Sequence, residues 1–573
     1  MTATRRVRRR AAAWPSSAGR GAAELVDTLR RSRGAGQDDG DAGLGGLLPV
    51  SSLDGVDTAA ELLQRHRDGR VLIVGDFDAD GATSTALMLR SLRAFGFADA
   101  GFLVPNRFDY GYGLSSALAE VAIANEPTLI VTVDNGISSH AGVACCVAAG
   151  VDVLVTDHHL PGVELPAATA IVNPNLADSG FASKALAGVG VAFYVMAALG
   201  RRLQQAGQSG AAAVPARFLD LVALGTVADV VTLDCNNRIL VREGLARIRA
   251  GHSVPALAAL LALAGRDPRD CVASDLAFAA GPRLNAAGRM EDMSLGIAAL
   301  LADDPGDARA AAAELDRINQ ERRRTEKVMQ DDALQQIAAY AERLDRDGLP
   351  GCLALHDASW HQGIVGLVAG RMKERLHRPV FAFARDDNGL LKGSGRSIPG
   401  VHLRDLLAYV DTLEAGLIER FGGHAMAAGL TLPAAHLTRF AAAAEAAVAT
   451  LYPEADFEAV WLSDGVLAPE HLTLAVAERL RAAGPWGQGF EEPQFDGRFV
   501  VKNSRIVGGD HLKLEVASVD GGEVIGAIAF NQAALAPLPN GTIVELVYRL
   551  DVNLYRGMRL PQLVVAQASV VAG

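Results

Sequence analysis

The chain has 573 residues, too many for one hydrophobic core, so two to four domains are expected. Hydrophobic residues make up 50% and charged residues 21%, which excludes a disordered or fibrous chain, and the longest uncharged apolar runs, such as VPALAALLALAG, fall short of the ~20 residues of a membrane span. The net charge of −12 argues against wholesale coating of nucleic acid, although a local basic groove can sit on an acidic body.

Residues 1–45 are basic and then rich in Gly and Asp (MTATRRVRRR, RGAGQDDGDAGLGG), and are expected to form a flexible tail. No apolar segment follows the basic residues as it would in a secretory signal. The five cysteines form no CxxC pair, and Cys145 and Cys146 are adjacent, a usage that fits a reducing, cytoplasmic setting without structural zinc. From 46 to 305, β-rich runs alternate with Ala/Leu-rich helical patterns. The strands RVLIVGD, PTLIVTVDNG and VDVLVTDHH are continuous apolar runs, as parallel strands covered on both faces require. This predicts an α/β domain with βαβ connections. Residues 306–346 contain no proline or internal glycine and space Leu315, Ile318, Met329, Ile337 and Leu344 at roughly helical intervals. One helix from about Asp307 to Arg346, ~60 Å long, is predicted as a link between domains. Residues 347–455 read as a second, smaller α/β domain carrying SGRS and FGGHAMAAG. Residues 456–573 begin with a linker and then switch to period two over five short strands, which predicts a small OB-like β-barrel. The fold class is therefore α/β: two α/β domains joined by a long helix, plus a C-terminal OB-fold-like barrel.

The predicted strands end in the chemistry. In open α/β sheets, ligands sit beyond the carboxyl ends of the strands. Here those ends carry Asp76, Asp78 and Asp80, then Asp134 in VTVDNG, then Asp157, His158 and His159 in VTDHH, with Asp229 after the apolar run LVALGTVADVV. So many acidic groups at neighbouring strand ends repel one another, and divalent cations relieve that repulsion. Carboxylates with imidazoles and no thiolate suit Mn²⁺ or Mg²⁺. Two such ions about 3.5–4 Å apart, sharing a carboxylate, form a recurring device for phosphoester hydrolysis. Each group alone has an ordinary alternative. An Asp alternation after a strand caps a helix or makes a turn, and Asp157 fits a residue that orients a histidine.

At these residues the chain resembles a known family. The order DxDxDG, VDNG, DHH and GTVADVV is similar to the DHH phosphoesterase superfamily, and FGGHAMAAG is similar to its companion DHHA1 domain. With GPRLNAAGR, the long helix, WHQGIVG, SGRS, PWGQGFEEPQF and a terminal barrel, the whole resembles the RecJ family of single-strand-specific 5′→3′ DNA exonucleases over residues 45–573. The resemblance implies metal ligation by Asp78, Asp80, Asp134, His158 and Asp229, with Asp134 as the bridge; Asp76 stands where many relatives offer a histidine. It implies that His159 contacts the scissile phosphate and that Arg107, Tyr112, Arg283, Ser394 and Arg396 grip the strand near its 5′ end. Gly422, Gly423 and His424 would lie against a phosphate. A cleft between the two α/β domains would exclude duplex DNA. The implied setting is recombination and mismatch repair with single-strand-binding protein and a helicase, acting as a monomer. One departure is visible, GQGFEEPQF where the family commonly has GxGNPEPxF.

The residues themselves leave alternatives open. Arginine forks match phosphate oxygens, and an aromatic such as Tyr112 can stack on any base. Arg283 fits equally a salt bridge or a helix cap. Arg498, Lys502, Arg505, Lys513, Arg549, Arg556 and Arg559, with Tyr548 and Tyr555 interleaved, suit a single-strand groove on the barrel, or a solvent face of alternating charge. Two rival functions remain: a small-molecule phosphoesterase of the same superfamily, and a non-catalytic DNA-binding scaffold. The barrel and long helix argue against the first, and the intact acidic set against the second.

Overall fold

The apolar runs become one parallel sheet. In the computed structural model, which describes residues 5–14, 16–36, 43–105, 110, 113–343, 349–386, 388–555 and 557–571, the strands are β1 (Arg70–Gly75), β2 (Asp99–Leu103), β3 (Leu129–Val133), β4 (Asp152–Thr156) and β5 (Ala170–Val172). They lie in the order β2-β1-β3-β4-β5, all parallel. Along β1, Val71 and Ile73 face one hydrophobic cluster while Leu72 and Val74 face another. Every position after Arg70 is therefore buried, which is why the run reads as continuously apolar. The chain leaves β1 toward β2 on one side and returns to β3 on the other. The crevice between the ends of β1 and β3 is the topological switch point, where ligands bind in such sheets.

Helices α1 (Ala79–Phe95), α2 (Gly188–Gln205) and α3 (Leu219–Ala228) cover one face of the sheet. Helix α4 (Gly281–Met290) follows, then α5 (Pro305–Arg343), 39 residues long and so roughly 59 Å at 1.5 Å per residue. Residues 9–319 and 463–573 form one compact unit, and residues 1–8 and 320–462 another, so the division falls inside α5. In the first unit, Asp316 of α5 holds Arg283 of α4 at 2.7 Å. In the second, Glu326 of α5 takes Arg322 at 2.7 Å and Arg371 at 3.3 Å.

The second unit carries a five-stranded sheet. Strands β6 (Leu353–His356), β7 (Val380–Arg385), β8 (Leu390–Arg396), β9 (Arg420–Gly423) and β10 (Ala427–Pro433) run in the order β9-β10-β8-β7-β6. Only β6 and β7 are parallel. Helix α6 (Val365–Leu376) packs against β7 and β8.

The C-terminal segment closes into a five-stranded barrel of β11 (Phe495–Val507), β12 (His511–Ser518), β13 (Ile525–Ala529), β14 (Ile543–Tyr555) and β15 (Met558–Val570), as the period-two pattern predicts. Its order is β11-β12-β13-β15-β14, with the β13–β15 pair parallel. The groove expected on it needs correction. Tyr548 is fully buried, because it shares a strand face with Val544, Leu546, Leu550 and Val552. Arg498 pairs across strands with Glu545, Arg549 with Glu492, and Arg559 with Asp270 and Glu478. Arg498 is the alternating-charge case, and the other two cations meet carboxylates outside the barrel strands. Lys502, Arg505 and Lys513 carry no ion pair among the described residues; Arg556 and the side chain of Tyr555 lie outside them. The departing motif is a joint: Trp486 stacks on Phe490, Arg238 lies over the Phe490 ring, and Leu233 N–H donates to Gln488 O at 2.8 Å.

The expected flexible tail is also corrected. Arg6–Trp14 is a strand paired with Val460–Gly465, and Ala22–Arg31 is a helix. The basic residues find carboxylates: Arg9 meets Asp496 at 2.9 Å, and Arg33 meets Asp464 at 2.7 Å, both of that pair buried. Trp14, Leu25 and Leu29 join the barrel's hydrophobic cluster. Composition marks this segment as polar, but its partners lie more than 400 residues away.

Candidate active site

The site is built at the switch point. Strand β1 ends at Gly75, and the chain turns through Asp76 and Asp78 into α1. Asp78 is the N-cap of α1, its Oδ1 accepting from Gly81 N–H at 3.0 Å. The helix-cap alternative therefore holds together with a place in the acidic cluster. Asp80, in the first turn, is buried. Its Oδ2 accepts from Gly188 N–H at 2.7 Å and its Oδ1 from Val189 N–H at 2.8 Å, so the first turn of α2 fixes this carboxylate. Asp134 follows β3 with φ of +61°, a left-handed conformation that Asp tolerates better than most residues. Next to it, the Asn135 amide donates to Val74 O at 3.1 Å and Val133 O at 2.9 Å, stapling β1 to β3 beneath the crevice.

Asp157 does what its position after β4 suggests. Its Oδ1 accepts from His158 N–H at 2.7 Å, from His159 N–H at 3.1 Å and from His159 Nδ1 at 2.8 Å, while its Oδ2 accepts from Ile137 N–H at 2.9 Å. The two imidazoles are thereby set differently. Burial and the charge of His159 push His158 down to about 4, so it is neutral. Its Nε2 lies 3.1 Å from Asp134 Oδ1, 3.5 Å from Asp229 Oδ2 and 4.0 Å from Asp80 Oδ2. Burial opposes charge on His159 too, but the Asp157 hydrogen bond and charge, with Asp229 and Asp76 beyond, raise it to about 9. His159 is thus an imidazolium facing the acidic crevice.

The six expected ligands do come together. Asp76, Asp78 and Asp134 offer carboxylate oxygens within 4.8 Å of one another; Asp80, His158 and Asp229, and likewise Asp134, His158 and His159, offer carboxylate oxygens and ring nitrogens within the same distance. Asp134 and His158 are each shared between two of these groups. Burial, then the neighbouring carboxylate charges, push Asp80 and Asp134 well above the usual carboxylate range. Burial and Asp78 push Asp229 to about 7, against the pull of His159. The donor set fits divalent cations. The buried His158 Nε2 and Asp229 Oδ2 make no hydrogen bond among the described residues, and hard oxygens with a neutral imidazole suit Mn²⁺ or Mg²⁺.

The residues expected to hold the strand are placed unevenly. Arg107 and Tyr112 lie outside the described residues. Arg283 is only 12% exposed, and its Nε is committed to Asp316 and its Nη1 to Ala279 O at 2.8 Å, which is the salt-bridge alternative. In the second unit, Ser394 and Arg396 share a face of β8. A Cβ on Gly366, beside the start of α6, would lie 3.0 Å from Arg396 Nη2 and 3.4 Å from Ser394 Oγ. Burial holds the Arg396 guanidinium below its ordinary value, and its Nη1 donates to Gly395 O at 2.8 Å. Gly422 is exposed on the edge strand β9 with open space above it. Gly423 has φ of +139°, where a Cβ would strike Ala427 O at 2.5 Å, and His424 N–H donates to Ala427 O at 2.8 Å.

Three supporting residues were not read from the sequence. Gly188 must be glycine, because a Cβ there would lie 2.8 Å from Asp134 Cβ. Asn135 is the staple already described. Asn285, inside the GPRLN motif, accepts from Ala79 N–H at 2.8 Å and so ties α4 to the aspartate loop. Asn135 and Asn285 lay in motifs that stood out, VDNG and GPRLN; Gly188 did not.

The fold and the site define a DHH phosphoesterase with a companion domain and a nucleic-acid-type barrel. The DHH family N-terminal domain matches residues 70–226, the DHHA1 domain residues 349–450, and the RecJ OB domain residues 463–567. The single-stranded-DNA-specific exonuclease RecJ of Escherichia coli K12 is 51% identical over 95% of this chain and 96% of its own length. That of Salmonella typhimurium LT2 is 52% identical, covering 91% of each chain. The crystal structure of RecJ in complex with Mn²⁺ from Thermus thermophilus superposes with a TM-score of 0.77 at 32% identity, covering 96% of this chain and 76% of that one. This chain belongs to the RecJ family.

Proposed function

We propose that the protein is a single-stranded-DNA-specific exonuclease that hydrolyses phosphodiester bonds from the 5′ end, releases 5′-mononucleotides and serves DNA recombination and repair. One observation carries this reading: Asp76, Asp78, Asp80, Asp134, His158 and Asp229 converge at the switch point of a chain that is 51% identical to a single-stranded-DNA-specific exonuclease. These six residues would hold two divalent cations, Mn²⁺ or Mg²⁺, with Asp134 shared between them. When bound, such ions activate water and neutralise charge developing on phosphoryl oxygens.

The chain's own residues complete the chemistry. His159, protonated and fixed through Nδ1 by Asp157, keeps its Nε2 proton for a phosphoryl oxygen and stabilises the charge that develops there. His158 stays neutral, with a hydrogen bond to the Leu186 backbone setting its tautomer and leaving the Nε2 lone pair for a cation. Ser394 and the desolvated Arg396 suit a terminal phosphate, which offers more anionic oxygens than a mid-strand one. Gly422, Gly423 and His424 present main chain to a further phosphate, and Arg107 and Tyr112 complete the grip on the 5′ end. The protein would act as a cytoplasmic monomer, with single-strand-binding protein and a helicase supplying its substrate.

The test is digestion, with Mn²⁺, of one linear single strand labelled near either end and of a circular single strand, with 5′-phosphate and 5′-hydroxyl versions of the linear one. Stepwise loss from the 5′ side, faster on the phosphorylated strand and with the circle intact, is expected. Cutting of the circle, or loss from the 3′ side, overturns the reading.

A further inference from the structure

The segment before α4 presents an aromatic ring to solvent from a turn packed against α3, the helix that leads into Asp229. Residues Leu276–Ala280 wind as a single π-helical turn, a local insertion that recurs at functional sites. Leu276, Ala279 and Ala280 are buried, whereas Phe278 is 81% exposed. The turn is thus anchored on both sides of the ring it displays. It packs against α3, the helix that ends in Asp229, and a Cβ on Gly281 would lie 3.2 Å from Ala228 Cβ. Immediately after Asp229, Val230 is 63% exposed and held at φ of +62°. That conformation is strained for a β-branched side chain, and such strain concentrates at functional sites.

A lone exposed apolar residue is ordinary. Here two of them occupy two segments packed together, one strained and one on an inserted turn, and one follows a candidate metal ligand directly. Arg283, the nearest arginine in sequence, is committed to Asp316. An uncharged aromatic face suits the flat face of a base better than a phosphate.

We infer that Phe278 is a stacking platform for one nucleobase of the single-stranded substrate. The inference rests on the exonuclease reading and adds to it a base contact that tolerates any sequence, since every base has a π-face. Phe278 is on this assignment a binding residue.

The experiment uses the full-length protein and a set of 5′-phosphorylated oligonucleotides, each with one abasic residue at a successive position from the 5′ end. Binding is measured by fluorescence anisotropy in EDTA, and Mn²⁺ affinity separately. Wild type should show one position at which the missing base weakens binding by roughly tenfold. Phe278→Ala should weaken the intact strand by a similar factor and become indifferent to that position, while Phe278→Trp restores both. Tight binding of the intact strand by Phe278→Ala, or a surviving abasic penalty, overturns the assignment. So does a matching loss of Mn²⁺ affinity, which would mark Phe278 as a support of the metal centre instead. Failure of the exonuclease reading itself would appear elsewhere, as wild type with Mn²⁺ that digests no single strand.

Discussion

Gly188→Ala should disable the metal centre without touching any ligand. Asp80 is oriented by two N–H donors at 2.7 and 2.8 Å, both from the first turn of α2. A methyl group on Gly188 would sit 2.8 Å from both Cβ and Oδ1 of Asp134, a separation that real Cβ atoms essentially never show. Relief requires either the turn to retreat from Asp80 or Asp134 to shift in the crevice. A hydrogen bond to a charged group is worth about 1.5–3 kcal/mol, so losing one corresponds to roughly 10- to 150-fold in affinity if it falls on the metal-loaded state. The assay is titration with Mn²⁺, following free ion by electron paramagnetic resonance, beside a melting curve. Gly180→Ala is the control, because its Cβ meets nothing within 4 Å. Overpacking alone lowers stability, by about 1–3 kcal/mol. A lowered melting temperature with unchanged Mn²⁺ affinity would therefore refute the reasoning.

Asp134→Ala should cut turnover by at least ~10³-fold while single-strand binding survives, because binding is spread over many contacts; near-normal turnover would show that Asp134 is not the shared ligand. Excess EDTA should abolish digestion, and added Mn²⁺ or Mg²⁺ should restore it; full turnover in chelator removes the metal reading. Glu326→Ala removes the carboxylate that Arg322 and Arg371 share and should cost about 3 kcal/mol, read as a lower urea midpoint. Arg371→Ala should cost under ~1 kcal/mol, because that arginine is largely exposed.

The acidic centre was legible because a parallel sheet brings all its carboxyl ends to one edge. Once RVLIVG, TLIVTV and VDVLVT were strands, Asp76, Asp134 and His158 had to be neighbours. The long helix was legible at its start, expected at Asp307 and found at Pro305, since forty residues without proline or internal glycine have few alternatives; its expected end at Arg346 lies outside the described residues. What supports the centre was not legible. Gly188 arrives from a helix more than 100 residues after Asp80, and GVGV by itself is only an apolar helix start. Arg283 could not be assigned, because its partner Asp316 lies on a helix face whose direction the sequence leaves open. The Tyr548 error was avoidable: the alternation V-E-L-V-Y-R-L-D-V already puts Tyr548 on the face of Leu546 and Leu550.

The docking of the N-terminal segment on the barrel has a consequence for synthesis. Ser17 Oγ meets His471 Nδ1 at 2.7 Å across 454 residues of sequence, and Trp14 Nε1 donates to Val466 O across 452. A ribosome adding 5–20 residues per second makes Ala22–Arg31 roughly 20 to 90 s before its binding surface exists. During that interval Leu25, Val26 and Leu29 have no native cover from the barrel, so the nascent chain carries an apolar, basic-flanked segment in the cell's solvent. The parallel sheet, complete by Val172, can fold long before. The barrel's cluster, by contrast, can close only after Met558–Val570 has been made.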